Sequence, residues 1–129
     1  MHVILSAVLL ALAIVDLVLG TSFLVDPAGG ASDFGLAIVS RHGESTLRGD
    51  MTAFFYVGAL SLAWGAWRRR GDALLPALGL FAIAFTGRFI NVVAQGPYAG
   101  WMVPMSVEAF HCLLIIVAIR AWGLARPDA

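Results

Sequence analysis

Charged side chains are scarce in this sequence, and lysine is absent from it. Of the 129 residues, 12% are charged and 60% are hydrophobic, and the mean hydropathy is +0.90. Ordinary soluble domains have about a quarter of their residues charged. The net charge is zero, so no nucleic-acid partner is predicted. The composition therefore predicts an integral membrane protein whose outer surface faces the lipid bilayer.

Cysteine is nearly absent as well. Cys112 is the single cysteine, so the chain can form no internal disulfide and no cysteine-based metal site. We interpret it as a small buried hydrophobic side chain. The spacing Glu108-x-x-His111 is typical of di-metal helical bundles, but those need a second such pair and two further glutamates, which this sequence lacks. We therefore predict no metal and no cofactor.

Long apolar runs predict four membrane-spanning helices. The first is about 34 Å long at roughly 1.5 Å per residue, which is enough to cross a bilayer. Asp16 interrupts this run and no basic segment precedes it, which favours a membrane span over a cleaved signal peptide. Because short connections make neighbouring helices antiparallel, the predicted fold is an all-α, up-down-up-down four-helix membrane bundle. It is a single transmembrane domain, 1–129, with spans at about 3–25, 49–67, 73–94 and 103–122.

The largest predicted connection is the outer loop 26–46, which begins where Asp26 and Pro27 end the first helix. Its apolar stretch 34–39 predicts a short helix that lies on the membrane surface and caps the bundle. In the second span, Ser61-x-x-x-Gly65 is a pattern of small residues that favours close helix packing in lipid.

Arginine positions predict the orientation in the membrane. Basic connections stay on the cytoplasmic side, which places Arg68, Arg69 and Arg70 inside. With four spans, both termini are then inside too, together with Arg120 and Arg126, whereas Arg41 and Arg48 lie outside. The predicted location is the bacterial inner membrane, with both termini cytoplasmic.

Four acidic, basic or histidine residues lie well inside the predicted spans, away from their ends. At about 1.5 Å per residue, Arg88 and Glu108 lie roughly 9 and 8 Å below the outer ends of their helices. By the same count, Asp16 lies about 13 Å deep and His111 about 12 Å deep. The depths predict an Arg88–Glu108 ion pair and an Asp16–His111 pair. All four side chains fall in the outer half, which indicates a polar pocket that opens outward.

Ionisable groups within a membrane span are functional candidates by default, although a network that fixes helix register would have the same signature. The leading hypothesis is a pocket that binds a small, lipophilic molecule, with acid–base catalysis of an isomerase, cyclase or hydrolase type. The alternatives are a non-catalytic subunit of a larger membrane complex and a proton-coupled small transporter that acts as a homodimer. The candidate catalytic residues are Asp16, His111 and Glu108, and the candidate ligand-binding residues are Arg88, Asn91, Arg48 and Trp101.

Several short motifs resemble those of one group of membrane proteins. They are Arg48 at the start of the second helix with a glycine-rich helix after it, Gly87-Arg88, the Gly96-Pro97 turn and Glu108. This pattern, over about 12–122, resembles small four-helix bacterial membrane proteins that form a domain family of unknown function, and more loosely DoxX-like proteins. The resemblance implies four spans and a role for Arg48, Arg88 and Glu108, but no established activity. Asp16 and His111 do not belong to the pattern.

Overall fold

The computed structural model describes residues 1–124, and within that range every regular element is a helix. Arg126, which the orientation argument used, lies outside the described residues. A single 3₁₀ turn, Asp72–Leu74, precedes the fourth helix. The helices are α1 (His2–Val25), α2 (Pro27–Asp33), α3 (Arg41–Arg68), α4 (Leu75–Gln95) and α5 (Met102–Trp122).

The connection after α1 differs from the predicted loop. Its helix is α2, at Pro27–Asp33, and not the apolar stretch 34–39, which is non-helical. Asp26 caps α2 by accepting a hydrogen bond of 3.1 Å from the Gly29 N–H, and proline at the first helical position is pre-set for a helix. Gly35, with φ of 69°, then turns the chain away from helical geometry.

The predicted loop also ended too late, because α3 begins at Arg41. Ser40 is extended and its hydroxyl accepts a hydrogen bond of 3.0 Å from the Gly43 N–H, which makes it the N-cap. Glu44 in the first turn complements the positive end of the helix dipole. The polar residues 41–46 are therefore the first turns of a helix rather than a loop.

Three of the helical segments are long and apolar enough to cross a membrane: His2–Val25, Asp72–Gln95 and Met102–Trp122. Helix α3 is not among them, because polar side chains occupy its first turns and the rest of it is interspersed with glycine, serine and tryptophan. All four long helices nevertheless carry apolar side chains on their outer surfaces. Ile14, Leu60, Ile83 and Leu113 are 63%, 68%, 74% and 59% exposed.

Helix α1 runs antiparallel to α3 at close range. The Ser6 hydroxyl donates to the Ala66 carbonyl near one end of the pair, and the Thr52 hydroxyl donates to the Gly20 carbonyl near the other. A Cβ at Gly20 would come within 2.5 Å of the Tyr56 ring, so glycine is needed for this approach. Helix α3 also packs on α4, α4 packs on α5, and α5 returns to α1.

Two ends of the molecule can be defined from these contacts. At the Arg68 end, the Gly71 N–H donates to the Gly123 carbonyl at 3.0 Å and the Trp122 indole donates to His2 Nδ1 at 3.1 Å. The N-terminus, the α3–α4 connection and the end of α5 therefore meet there. At the opposite end, the Gly96 end, lie α2, the start of α3 and the turn between α4 and α5.

The Ser61 side chain joins α3 to the start of α4. Its hydroxyl donates to the Ala73 carbonyl at 2.7 Å and accepts from the Ala77 N–H at 3.1 Å. The first N–H groups of a helix have no partner within the helix, and Leu74 at the N-cap position offers no side-chain acceptor. Ser61 therefore caps α4 from a neighbouring helix, which adds a hydrogen-bonding role to the packing predicted from the sequence.

This cap generates a stability prediction. Ser61→Ala removes both hydrogen bonds and leaves the buried Ala77 N–H unpartnered, so we expect a loss of about 1–3 kcal/mol in the free energy of unfolding. The measurement is denaturant-induced unfolding of the purified protein in detergent. Ser106→Ala, at an exposed position of α5, is the matched control and should change stability by less than about 0.5 kcal/mol. Equal effects of the two substitutions would contradict the capping role.

Candidate functional site

Asp16 of α1 and His111 of α5 face each other in the interior. Their residues are 2% and 1% exposed, and His111 Nε2 lies 3.4 Å from Asp16 Oδ2. This contact is longer than a usual hydrogen bond of about 2.7–3.2 Å. Neither atom has a hydrogen-bond partner within residues 1–124. The structure thus brings together the pair that the depth argument predicted, with an open polar contact between its two atoms.

The imidazole of His111 is held from two other directions. Its Nδ1 lies 2.8 Å from the Val107 carbonyl oxygen, one helical turn earlier in α5. Phe81 of α4 stacks on the ring, with centroids 4.1 Å apart and planes 29° from parallel. Because a carbonyl oxygen can only accept, Nδ1 must carry a hydrogen. The tautomer of His111 is therefore fixed by the backbone of its own helix.

The fixed tautomer determines what lies between Asp16 and His111. With hydrogen on Nδ1, a neutral imidazole presents the lone pair of Nε2 toward the carboxylate of Asp16. Two lone pairs at 3.4 Å, both buried, are unfavourable without a proton between them. One added proton, on Nε2 or on Oδ2, turns the repulsion into a hydrogen bond. The two side chains are therefore placed to share one added proton, and we call them the proton-holding pair.

Gly58 of α3 lies against the pair. A Cβ at this position would lie 3.5 Å from the Phe81 ring and 3.7 Å from Asp16 Oδ2. Glycine here lets α3 cover both side chains without a side chain of its own between them. Residues from all four long helices therefore surround the proton-holding pair.

Arg88 and Glu108 form a second pair, nearer the Gly96 end. Arg88 Nε donates to Glu108 Oε1 at 2.8 Å, and the two side chains are 33% and 9% exposed. This is the ion pair between α4 and α5 that matched depths predicted. Glu108 Oε2 is buried and has no hydrogen-bond partner in the described part of the chain. One carboxylate oxygen is therefore satisfied by arginine, whereas the other is left as a free acceptor.

Both pairs lie at a cavity of about 960 Å³ that opens between the helices toward the Gly96 end. Asp16, Glu108 and Arg88 line it directly, whereas His111 stands behind Asp16 and does not. The cavity wall is otherwise mainly apolar, and its aromatic members are Phe34, Phe54, Phe55, Phe81 and Tyr98.

The segment after α2 covers part of this cavity. Asp33, Phe34 and Gly35 line it on one side, opposite residues of the α4–α5 turn. The Phe34 ring lies 5.4 Å from Phe23 and 5.8 Å from Phe55, between centroids, so aromatic packing anchors the segment to α1 and α3. These contacts hold Phe34 against the helices, where the sequence predicted a separate surface helix over 34–39.

The structure places the remaining candidate residues away from this cavity. Arg48 is exposed and forms an ion pair of 3.1 Å with Glu44, beside a smaller cavity at the start of α3. Asn91 is exposed on α4, and half-buried Trp101 precedes α5 without lining the large cavity. Their predicted ligand-binding role stays a prediction. Among residues 1–124, no three His, Cys, Asp or Glu side chains are grouped so that they could hold a metal ion.

Several members of the site were not foreseen from the sequence. Phe81 and the Val107 carbonyl orient His111, and Gly58 lies against Asp16, yet each is ordinary in an apolar helix. A signal for Phe81 was available in its spacing, because it lies seven residues before Arg88 and so on the same face of α4. The Val107 carbonyl left no signal, since every residue has one.

Comparisons of the chain with protein-family models, with curated proteins and with solved structures find no match. The resemblance to the four-helix bacterial membrane proteins stays a prediction, and functional argument rests on the site itself.

The second pair generates a stability prediction. Arg88→Gln leaves the Glu108 carboxylate buried without its ion-pair partner, so we expect a loss of about 2 kcal/mol, less than for a fully buried pair because Arg88 is partly exposed. Glu108→Gln in the same chain removes the unpaired charge and should restore at least half of that loss. Unfolding of the two single variants and the double variant in detergent gives the cycle. Additive losses would mean that the pair does not interact.

Proposed function

We propose that the protein is a four-span membrane protein, in which α1, α3, α4 and α5 form an up-down-up-down bundle. Support for α3 as the additional span comes from its position between α1 and α4 and from its apolar outer side chains. Leu60, Trp64 and Trp67 are 68%, 55% and 75% exposed. An apolar surface on every side of the molecule is favourable when lipid surrounds it.

The proposed orientation has the Arg68 end in the cytoplasm of a bacterial inner membrane. Arg68, Arg69 and Arg70 lie there next to the chain's N-terminal residues and the end of α5, which carries Arg120. Basic residues near the ends of spans favour the cytoplasmic side. The cavity then opens toward the outside.

A labelling experiment tests this orientation. In a Cys112→Ala background, Ser45→Cys at the Gly96 end should react with a membrane-impermeant maleimide added to intact cells or right-side-out vesicles. Arg69→Cys, at the Arg68 end, should react only after the membrane is permeabilised, because it then becomes accessible. The reverse pattern would show the opposite orientation, and labelling of both sites in intact vesicles would contradict a membrane-spanning α3.

The function that the geometry supports best is binding of a small, lipophilic molecule in the large cavity, with proton transfer by Asp16. The observation that carries this proposal is that Asp16 and Glu108 line a largely apolar cavity of about 960 Å³, and that their buried atoms Oδ2 and Oε2 have no hydrogen-bond partner among residues 1–124. Buried polar atoms are normally hydrogen-bonded, so unpartnered ones need an explanation. A ligand in the cavity that donates hydrogen bonds or carries charge would supply the partner.

The residues would divide the work as follows. Asp16 lines the cavity and would exchange a proton with the ligand, because it is the member of the pair that a ligand can reach. His111 would be a positioning residue, which stabilises either protonation state of Asp16 from behind. Glu108, oriented by Arg88, would hold the polar end of the ligand. Such an arrangement suits general acid–base chemistry and equally suits proton-coupled binding.

Ligand retention tests the proposal. Native mass spectrometry and solvent extraction of the purified wild type should show one defined small molecule per chain. Asp16→Asn and Glu108→Gln should each lose it at least tenfold, because each removes a carboxylate that faces the cavity. Asp50→Asn, an exposed position on α3, is the matched control and should retain the molecule.

Two outcomes would overturn the proposal. One is an empty wild-type cavity in protein purified from membranes under mild conditions, with variants that change only thermal stability, which would favour a network that fixes helix register. The other is a co-purifying molecule that both variants retain, which would place its site elsewhere. If Asp16→Asn and Glu108→Gln changed nothing except the loss of a co-purifying protein, the alternative of an accessory subunit would be favoured instead.

A further inference from the structure

The charge balance of the cavity wall is negative. Three carboxyl groups line it, on Asp16, Asp33 and Glu108, against a single guanidinium, on Arg88. Arg88 is already matched by its ion pair with Glu108. The His111 imidazole faces Asp16 and contributes a positive charge only while it holds the added proton. Without that proton, the wall carries an excess of negative charge in a largely apolar surrounding.

The unpartnered carboxyl oxygens and the aromatic rings of the cavity wall both favour a positively charged ligand. Asp16 Oδ2 and Glu108 Oε2 can only accept when ionised, so they suit a donor or a positive charge. The faces of aromatic rings attract cations, and Phe34, Phe54, Phe55, Phe81 and Tyr98 all contribute to the wall. An anion would meet carboxylates and ring faces, both of which repel it.

We propose that the cavity binds a lipophilic cation, such as a substituted ammonium or phosphonium ion, and that its binding displaces the proton held between Asp16 and His111. This inference rests on the proposed function and names the class of its ligand. The site has one exchangeable positive charge, which is the proton before binding and the ligand afterwards.

The exchange conserves charge and atoms. Before binding, the pair holds one added proton and is neutral, as an imidazolium with a carboxylate or as an imidazole with a carboxylic acid. On binding, that proton leaves to water, Asp16 remains a carboxylate, and the neutral imidazole keeps its hydrogen on Nδ1. The positive charge of the cation then replaces the positive charge of the proton. Burial of net charge is costly, so a one-for-one exchange is the arrangement that an apolar interior favours.

Other titratable groups near the pair do not offer a competing exchange. Glu108 on α5 is committed to Arg88 of α4 through one oxygen, and Cys112 lies next to His111 in the chain, half-buried. On the cavity wall, Asp33 is the exposed last residue of α2 and Tyr98 belongs to the α4–α5 turn. The α3 residues that face the pair, Gly58 among them, carry no titratable side chain.

The test uses two probes of matched shape and opposite charge, tetraphenylphosphonium and tetraphenylborate, with the full chain in detergent and protein-free detergent as the blank. Calorimetry should show that tetraphenylphosphonium binds with a stoichiometry of one, and tetraphenylborate at least tenfold more weakly. Binding in buffers of different ionisation enthalpy should show release of one proton per cation. In the pH range where the pair is protonated, affinity should rise tenfold per pH unit, since the proton and the cation compete.

Variants then assign the exchange to Asp16. Asp16→Asn should abolish proton release and weaken cation binding at least tenfold, whereas Asp50→Asn should match the wild type. If Asp16→Asn does not fold, the cation selectivity, the proton release and the pH dependence of the wild type still test the inference. Failure of tetraphenylphosphonium to bind, or binding that is independent of pH, overturns the inference. If the extracted native molecule is neutral or anionic and depends on Asp16, the inference fails while the proposed function stands; an empty wild-type cavity that binds neither probe removes both.

Discussion

A carboxylate and an imidazole that face each other in an apolar interior need a proton between them, and the site of this protein depends on that requirement. The backbone carbonyl of Val107 occupies the other ring nitrogen of His111, at 2.8 Å, so the imidazole cannot turn its own hydrogen toward Asp16. The proton must then be an added one. Because both residues are almost fully buried, a pair without that proton is costly unless another positive charge takes its place.

The surrounding helices are arranged around this pair. Phe81 of α4 covers one face of the imidazole, and Gly58 of α3 lies against both Phe81 and the carboxylate of Asp16. Close packing of α1 on α3 at Gly20 fixes the depth of Asp16 relative to these partners, and the Ser61 hydroxyl fixes where α4 begins. The packing contacts thus determine the geometry of a polar site that contributes little stability of its own.

Sequence reasoning found the two pairs because a helix has a fixed rise per residue. Counting from helix ends gave matched depths for Arg88 with Glu108 and for Asp16 with His111, and both pairs are present in the structure. The same reasoning was wrong about 26–46. Capping by Asp26 allows the small residues after Pro27 to form α2, and Phe34 packs against an aromatic ring instead of belonging to a helix. Helix boundaries depend on such local contacts, and the three-dimensional contacts of Phe34 have no signature in its own stretch of sequence.

The two pairs differ in a way that bears on function. Arg88 and Glu108 are joined by a charge-assisted hydrogen bond of 2.8 Å, which ties α4 to α5. Asp16 and His111 have only an open contact of 3.4 Å. The short contact therefore joins its two helices firmly, whereas Asp16 Oδ2 and His111 Nε2 have no hydrogen-bond partner among residues 1–124. A tight ion pair would be enough to keep two helices in register, and an open contact between buried polar groups is not, which is why the long contact, rather than the short one, carries the functional proposal.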